Sequence, residues 1–322
     1  MIFARSRRHP FSMTATPEST HKTRIEEMHV SGFLEKRFGG AISSLTFIEG
    51  GEGSQAFSFE TGGKDLILRV NTESWSFGKD SYAHTHFSAG VPIPEIIEMG
   101  QLDEKYHYAI SERAAGRRLD TLRPEEYRVV VPKLLRVLDA IHVADVSATS
   151  GYGQWDGKGV GEMGSWREYL KSVNRWAEPA HGPGLFETSF LERDVWEPAY
   201  AELLRLIPYC SEERALVHGD FGFDNAFSDG KDITAVIDWG SGKYGDPLYD
   251  AAWLCFWTQS PEFREFVKDH FAKKENKPPH FEERLRCCEL YIALNSLSFY
   301  AYSNQRGKYE RNKERLWELM QG

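Results

Sequence analysis

A chain of 322 residues is long enough for two domains of ordinary size, each with its own core. Its mean hydropathy is −0.50, and no apolar run approaches the roughly 20 residues a membrane-spanning helix needs. A formal charge of −9, from 39 basic and 48 acidic residues, argues against nucleic acid and anionic membrane as general partners.

The first 24 residues carry Arg5, Arg7, Arg8 and several Ser and Thr, with no apolar stretch long enough for a signal-peptide core. They are expected to form a disordered tail, with Met13 an alternative start. The apolar positions from Ile25 to Phe38 predict a helix stopped by Gly39 and Gly40. Leu45 to Ile48, Ala56 to Phe59 and Leu66 to Val70 predict an antiparallel meander, joined by turns over Glu49 to Ser54 and Thr61 to Lys64. A helix over Phe77 to Ala89 and strands over Val91 to Ile97 and Tyr106 to Glu112 complete a five-stranded N-terminal lobe, residues 25–112.

From residue 113 to residue 322 the pattern turns helical. Leu134, Leu135, Leu138 and Ile141 share one face of a helix expected from Glu125 to about Val143, and His142 reads as a core histidine on that face. A glycine-rich bridge from Thr149 to Gly161 leads to a new helix near Ser165, and Pro179, Gly182, Pro183 and Gly184 break any long helix between residues 176 and 196. Asp246 before Pro247 has the form of a helix N-cap. Trp253, Phe256 and Trp257 stand at i, i+3, i+4 spacing, which normally means core. A solvated helix ending in a loop (Pro261 to Pro279), a long apolar-faced helix (Phe281 to Tyr302) and a charged closing helix (Lys308 to Gln321) finish the chain. The four cysteines, Cys210, Cys255, Cys287 and Cys288, show no Cys-x-x-Cys spacing, which fits a reducing cytosol better than a disulfide framework or a zinc site.

Ala215 to Gly245 carries the chemistry. The apolar run Ala215 to Val217 stops at His218, Gly219 and Asp220; Asn225 follows five residues later; a second run, Ile233 to Ile237, stops at Asp238. Read as a strand–loop–strand hairpin, the segment releases two acids and an Asn close together. Asp220 can then orient, or take a proton from, a hydroxyl, while Asn225 and Asp238 offer hard oxygens to Mg²⁺. A simple turn would explain Gly219, Gly222, Asp224, Asp229 and Gly230. It would not explain the coincidence of the His, the Asn and the two strand-terminal acids.

The pattern His-x-Asp-x-x-x-x-Asn followed by Ile-Asp-Trp resembles the aminoglycoside phosphotransferase family of antibiotic kinases. The resemblance implies a bilobal, protein-kinase-like α+β fold, with a small antiparallel sheet lobe, a larger helical lobe, and ATP and Mg²⁺ as cofactors. It implies that Gly50, Gly51, Gly53 and Ser54 cover the nucleotide phosphates. Arg69 stands where the family usually has a Lys, and it stays charged and can grip phosphate bidentately. Asp80 would pair with that cation. Ser111, Glu112 and Arg113 would form the hinge that meets the adenine edge. Asp220 would be the catalytic base or orienting group, Asn225 and Asp238 the metal ligands, and His218 and Asp246 supports of the loop. Asp250 and Trp257 are the candidate acceptor contacts. The implied reaction phosphorylates a hydroxyl of a cationic aminocyclitol antibiotic in the cytoplasm. The glycine-rich bridge, Glu49 to Phe59 and Leu68 to Asn71 are most similar to the branch acting on hygromycin B. The alternative is another small-molecule kinase, of macrolide, choline, homoserine or fructosamine type, on the same motifs.

Overall fold

The computed structural model describes residues 24–49, 54–179, 182–258, 260–273 and 277–321. The described residues divide into two compact units, one formed by those up to Phe77 with Ile96–Arg113, the other by Gly78–Glu95 with those from Ala114 onward. Sequence reading placed a single boundary after residue 112; instead, an excursion over Gly78–Glu95 joins the second unit.

In the first unit, helix α1 (Glu27–Phe38) is followed by β1 (Ile42–Ile48), β2 (Gln55–Thr61) and β3 (Lys64–Asn71). Helix α2 (Trp75–Phe87) crosses into the second unit, and the chain returns for β4 (Ile96–Gln101) and β5 (His107–Glu112). The sheet order is β1-β2-β3-β5-β4, antiparallel throughout. Thr61 pairs with Lys64 across Gly62 and Gly63, both at positive φ, the two-residue turn whose twist matches the strands it joins. Strand alternation puts Phe57 and Phe59 of β2 and Leu66, Leu68 and Val70 of β3 on one face, covered by Val30 and Leu34 of α1. Gly39, at φ 64°, ends α1 with its N–H on the Glu35 carbonyl. Residues 24–25 are held by Gln55, which hydrogen-bonds both backbone groups of Ile25, and by the Tyr106 hydroxyl, which donates to the Arg24 carbonyl.

Val91 to Ile97 was expected to be the fourth strand, and that expectation fails. Pro92 and Pro94 lack the N–H a ladder needs, so pairing begins only at Ile96. Val91 and Ile93 are buried in the core of the second unit, where the Pro92 carbonyl accepts the Val236 N–H at 2.7 Å.

The second unit continues with β6 (Arg117–Arg118), α3 (Pro124–His142), β7 (Tyr152–Trp155), β8 (Gly161–Met163) and the helices α4 (Trp166–Lys171), α5 (Asn174–Ala177), α6 (Leu185–Thr188) and α7 (Arg193–Leu206). Then come β9 (Ala215–Val217), β10 (Ala226–Ser228), β11 (Ile233–Val236), β12 (Lys243–Gly245) and the helices α8 (Leu248–Thr258), α9 (Pro261–Ala272), α10 (Phe281–Tyr302) and α11 (Arg306–Gln321). Helix α10 is buried on almost every side and packs against α7, α8 and α11, as expected for a helix apolar around most of its circumference. The hairpin expected over Ala215 to Asp238 is corrected. Strand β9 pairs with β12 in the sheet β8-β7-β12-β9, whereas β11 pairs with β10 in the sheet β11-β10-β6. The two acid-bearing strands therefore end in different sheets.

Candidate active site

What brings the two strand ends together is a closed circuit of four hydrogen bonds. The Asp220 N–H donates to Nδ1 of His218 (3.3 Å), and Nε2–H of His218 donates to the Ile237 carbonyl (3.0 Å). The Ile237 N–H donates to the Asn225 carbonyl (2.9 Å), and Nδ2 of Asn225 donates to the Asp220 carbonyl (2.9 Å). Asp238 is the next residue after Ile237, so Asp220, Asn225 and Asp238 are fixed to one another. The bonding of His218 specifies the neutral tautomer with its proton on Nε2. Burial pushes the imidazole below its ordinary pKa, and Lys243 adds to that, against the opposing charge of Asp250. With both ring nitrogens engaged, His218 braces the loop and has no nitrogen left for proton transfer.

Gly219 makes the turn possible. It sits at φ 81°, and a Cβ there would lie 2.3 Å from both Nζ of Lys243 and the Ser241 carbonyl oxygen. Its N–H and that of His218 both donate to the Asp250 carboxylate, at 2.8 and 2.9 Å. Asp250 is completely buried, with Nε2 of His142 at 3.7 Å from it. Burial works against its charge, but His142, His218 and the Gly219 N–H hold its pKa below the usual carboxylate value. The expectation that Asp250 meets a substrate amine is therefore corrected. Both oxygens hold the loop's backbone, and no face is open to an acceptor.

Asp246 caps α8 through the Leu248 N–H (2.9 Å) and is gripped by the Arg284 guanidinium, with both contacts at 2.8 Å. This bidentate pair is buried. Its cap was legible in the sequence; its partner on α10 was not, because nothing in the sequence distinguishes Arg284 from Arg286 in the same helix.

The carboxylates of Asp238 and Asp224 are exposed. Asp238 adopts φ 62°, ψ 63°, a left-handed conformation that a residue other than Gly holds only when its surroundings impose it. Burial, then the carboxylates of Asp238 and Asp224, push the Asp220 pKa well above that of an ordinary aspartate, partly offset by Asn225 and Lys243. Three acids thus repel one another at one point, as at a site built to receive positive charge. The donors are hard oxygens, and the Nδ2 bond of Asn225 leaves its Oδ1 as the accepting end. They fit Mg²⁺, which takes one or two protein ligands and completes its shell with phosphate and water. The described residues contain no group of three or more His, Cys, Asp or Glu placed to hold a metal ion.

Two buried lysines were missed by sequence reading. Lys79 on α2 donates to the carbonyls of Gly240 (2.6 Å) and Gly242 (3.0 Å), and Lys243 reaches the Gly219 carbonyl at 3.4 Å. Burial, reinforced by Lys243, lowers Lys79 to about 7. Burial lowers Lys243 to about 8 against the pull of Asp250 and Asp220. The neighbouring Asp80 accepts the Trp239 N–H at 2.7 Å. Trp257 lies half-buried on α8, against Trp253 and Phe256. It is Trp253 that reaches the catalytic loop, its Nε1 3.8 Å from where a Cβ on Gly222 would stand.

The remaining expected nucleotide contacts fall in the first unit. Gly50, Gly51 and Gly53 lie outside the described residues, and Ser54 directly precedes β2. Arg69 lies on the face of β3 opposite the buried Leu68 and Val70, with its guanidinium 5.2 Å from the centre of the Phe77 ring. Ser111 and Glu112 end β5 opposite Ile67 and Leu66, and the Arg113 N–H donates to the Asp65 carbonyl.

Residues 44–284 match the model of the phosphotransferase enzyme family called APH. The chain is 35% identical over 281 residues to the hygromycin-B 4-O-kinase of Escherichia coli, covering 86% of this chain and 80% of that one. Its fold is similar to crystal structures of aminoglycoside phosphotransferase APH(4)-Ia. One, a thermostable mutant in a ternary complex with AMP-PNP and hygromycin B, aligns at a TM-score of 0.81 and 33% identity, covering 91% of this chain and 98% of that chain. At 13% identity, a GDP and kanamycin complex of APH(2")-IIIa shares the fold alone, with a TM-score of 0.66 over 91% of this chain and 98% of that chain.

Proposed function

This chain belongs to the phosphotransferase enzyme family, and from that premise we propose that it phosphorylates a hydroxyl of an aminoglycoside antibiotic, with hygromycin B the acceptor we favour. The observation that carries the site assignment is the four-bond circuit through His218, Asp220, Asn225 and Ile237. It ties the backbone of Asp220 to that of Ile237, the residue before Asp238, and to Asn225, which supports reading Asp220 as the group for the hydroxyl and Asn225 with Asp238 as the groups for a cation.

Bound MgATP supplies the γ-phosphoryl group and the cation that neutralises its oxygens. Asn225 and Asp238 would hold that cation, and Arg69 would hold phosphate. Asp220 accepts a hydrogen bond from the acceptor hydroxyl, aligns it, and takes its proton as the oxygen becomes a nucleophile. Its raised proton affinity suits that task. Asp224 and Asp238 place negative charge beside it, which favours a cationic acceptor over a neutral one. The indole of Trp253 flanks the loop and offers an apolar wall to a sugar ring. We place the activity in the cytoplasm. All four cysteines are free and buried, and no described helix is long and apolar enough to cross a membrane.

The test is ADP release across a panel of acceptors, with product position read by phosphorus NMR. Hygromycin B is expected to exceed choline, homoserine, a macrolide and a fructosamine by at least about 100-fold in kcat/KM, the discrimination that specific polar contacts provide. Comparable or greater turnover of any of those four would overturn the acceptor assignment.

A further inference from the structure

One dipeptide of α2 takes hold of the turn that follows Asp238. The 3₁₀ turn Trp239–Ser241 has its first N–H bound by Asp80 at 2.7 Å. The Gly240 carbonyl within it and the carbonyl of Gly242, which follows the turn, are bound by Nζ of Lys79, at 2.6 and 3.0 Å. The ammonium lies 4.7 Å from the centre of the Trp155 ring. That ring presses against the same turn, for a Cβ on Gly242 would come within 2.5 Å of it. Lys79 is only 3% exposed, so it cannot reach out to a phosphate or an acceptor.

The left-handed backbone of Asp238 persists only where neighbours over-determine it. On its N-terminal side Asp238 is held through Ile237 by the circuit described above. On its C-terminal side the hold is supplied by Asp80, Lys79 and the indole of Trp239, whose Nε1 donates to the Val236 carbonyl. Of these, Lys79 alone ties two successive segments of the turn, spanning Gly240 to Gly242. We propose that Lys79 is a positioning residue: by donating to the Gly240 and Gly242 carbonyls it sets the direction of the Asp238 carboxylate without touching nucleotide or acceptor. The consequence for Mg²⁺ rests on the function proposed above; the ordering of the turn does not.

The test uses full-length protein carrying Lys79→Met, which fills the volume without donating, and Lys79→Gln, which restores a donor. Hydrogen exchange of the segment from Trp239 to Lys243, measured without nucleotide, reads the turn directly. Exchange there is expected to rise at least about tenfold in Lys79→Met, with α10 unchanged, since local opening is set by local contacts. Calorimetric titration of AMP-PNP with and without Mg²⁺ reads the consequence. Lys79→Met is expected to bind the nucleotide alone as the wild type does, to lose about tenfold of the tightening that Mg²⁺ gives, and to lower kcat while leaving the acceptor KM within about twofold. Lys79→Gln should recover part of each loss. Wild-type exchange and Mg²⁺ coupling in Lys79→Met would overturn the assignment, as would equal loss in both variants. If Lys79→Met does not fold, Lys79→Gln decides: slowed turnover with faster exchange at the turn supports the role, and wild-type values overturn it. Absence of Mg²⁺ coupling in the wild-type protein would instead count against the proposed function, leaving the exchange result to judge Lys79.

Discussion

The circuit around Asp220 engages that residue's backbone, and its carboxylate is no part of it. Nδ1 of His218 receives the Asp220 N–H, and Nδ2 of Asn225 donates to the Asp220 carbonyl. Asp220→Ala should therefore leave the loop standing. Expected is a fall in kcat of about 10²–10⁴-fold, the usual worth of a positioned base, with nucleotide affinity nearly unchanged by calorimetry. Retention of more than about a hundredth of the rate would remove Asp220 from that role. Gly219→Ala should do the opposite, damaging the loop while leaving every acid in place. The new methyl would meet the Ser241 carbonyl and Lys243 at 2.3 Å from a backbone at φ 81°. Left-handed strain and overpacking together cost about 2–5 kcal/mol, to be read as a lowered denaturation midpoint. An unshifted midpoint would mean that the loop yields freely.

Helix α8 carries the loop's support at its first turn, where Asp246 caps the helix and Asp250 receives the His218 and Gly219 N–H groups. Arg284 from α10 neutralises Asp246 with neither group exposed to water beyond a few per cent. Removing one partner of such a pair strands a buried charge and typically costs about 3–5 kcal/mol. Arg284→Met is expected to lose that much in denaturant unfolding. Asp246→Asn combined with Arg284→Met should lose less, because the amide still caps Leu248 and carries no charge. Equal losses in the two would show that the Arg contributes packing rather than charge. The elements that sequence reading located are those whose signals are local: α1 with its glycine stop, the Gly62–Gly63 turn, α3, and the cap at Asp246. The circuit's members were legible as a motif for the same reason. What escaped depends on distant pairing. Three-residue strands such as β9 and β12 leave no periodicity, so the pairing of Lys243 with Val217 could not be read. Nothing in the helix around Lys79 signals that its side chain is buried, and only its bonds to the Gly240 and Gly242 carbonyls give it a role. Helix α7 was hidden by Pro198 inside it and by the irregular chain before it.

Across the whole molecule, two amines kept from water should make stability depend on pH in a direction that can be worked out. All of the chain's nine tryptophans except Trp75 lie in the unit that holds both lysines, so tryptophan fluorescence follows that unit's unfolding. Burial lowers Lys79 from 10.5 to about 7 and Lys243 from 10.5 to about 8. Below those values both folded and unfolded chains hold the protons, and the cost of burying the cations is felt in full. As pH rises past them the folded protein releases protons that the unfolded chain keeps, so stability increases toward the unfolded value near 10.5. The thiols act in the other sense: Cys255 is pushed by burial from 9.0 to about 12, so near pH 9 and above the unfolded chain ionises first and stability falls. The window for the lysines is thus about pH 7 to 8.5, with an expected gain on the order of 2 kcal/mol. Lys79→Met should remove the larger share of that gain and Lys243→Met the smaller, because about 8 lies nearer the upper end of the window. A wild-type slope no steeper than that of the Lys79→Met/Lys243→Met double variant would mean that both amines keep their charge throughout. The cation beside Asp220 would then be permanent, and the Asp220 carboxylate would keep that attraction across the whole range in which the enzyme is assayed.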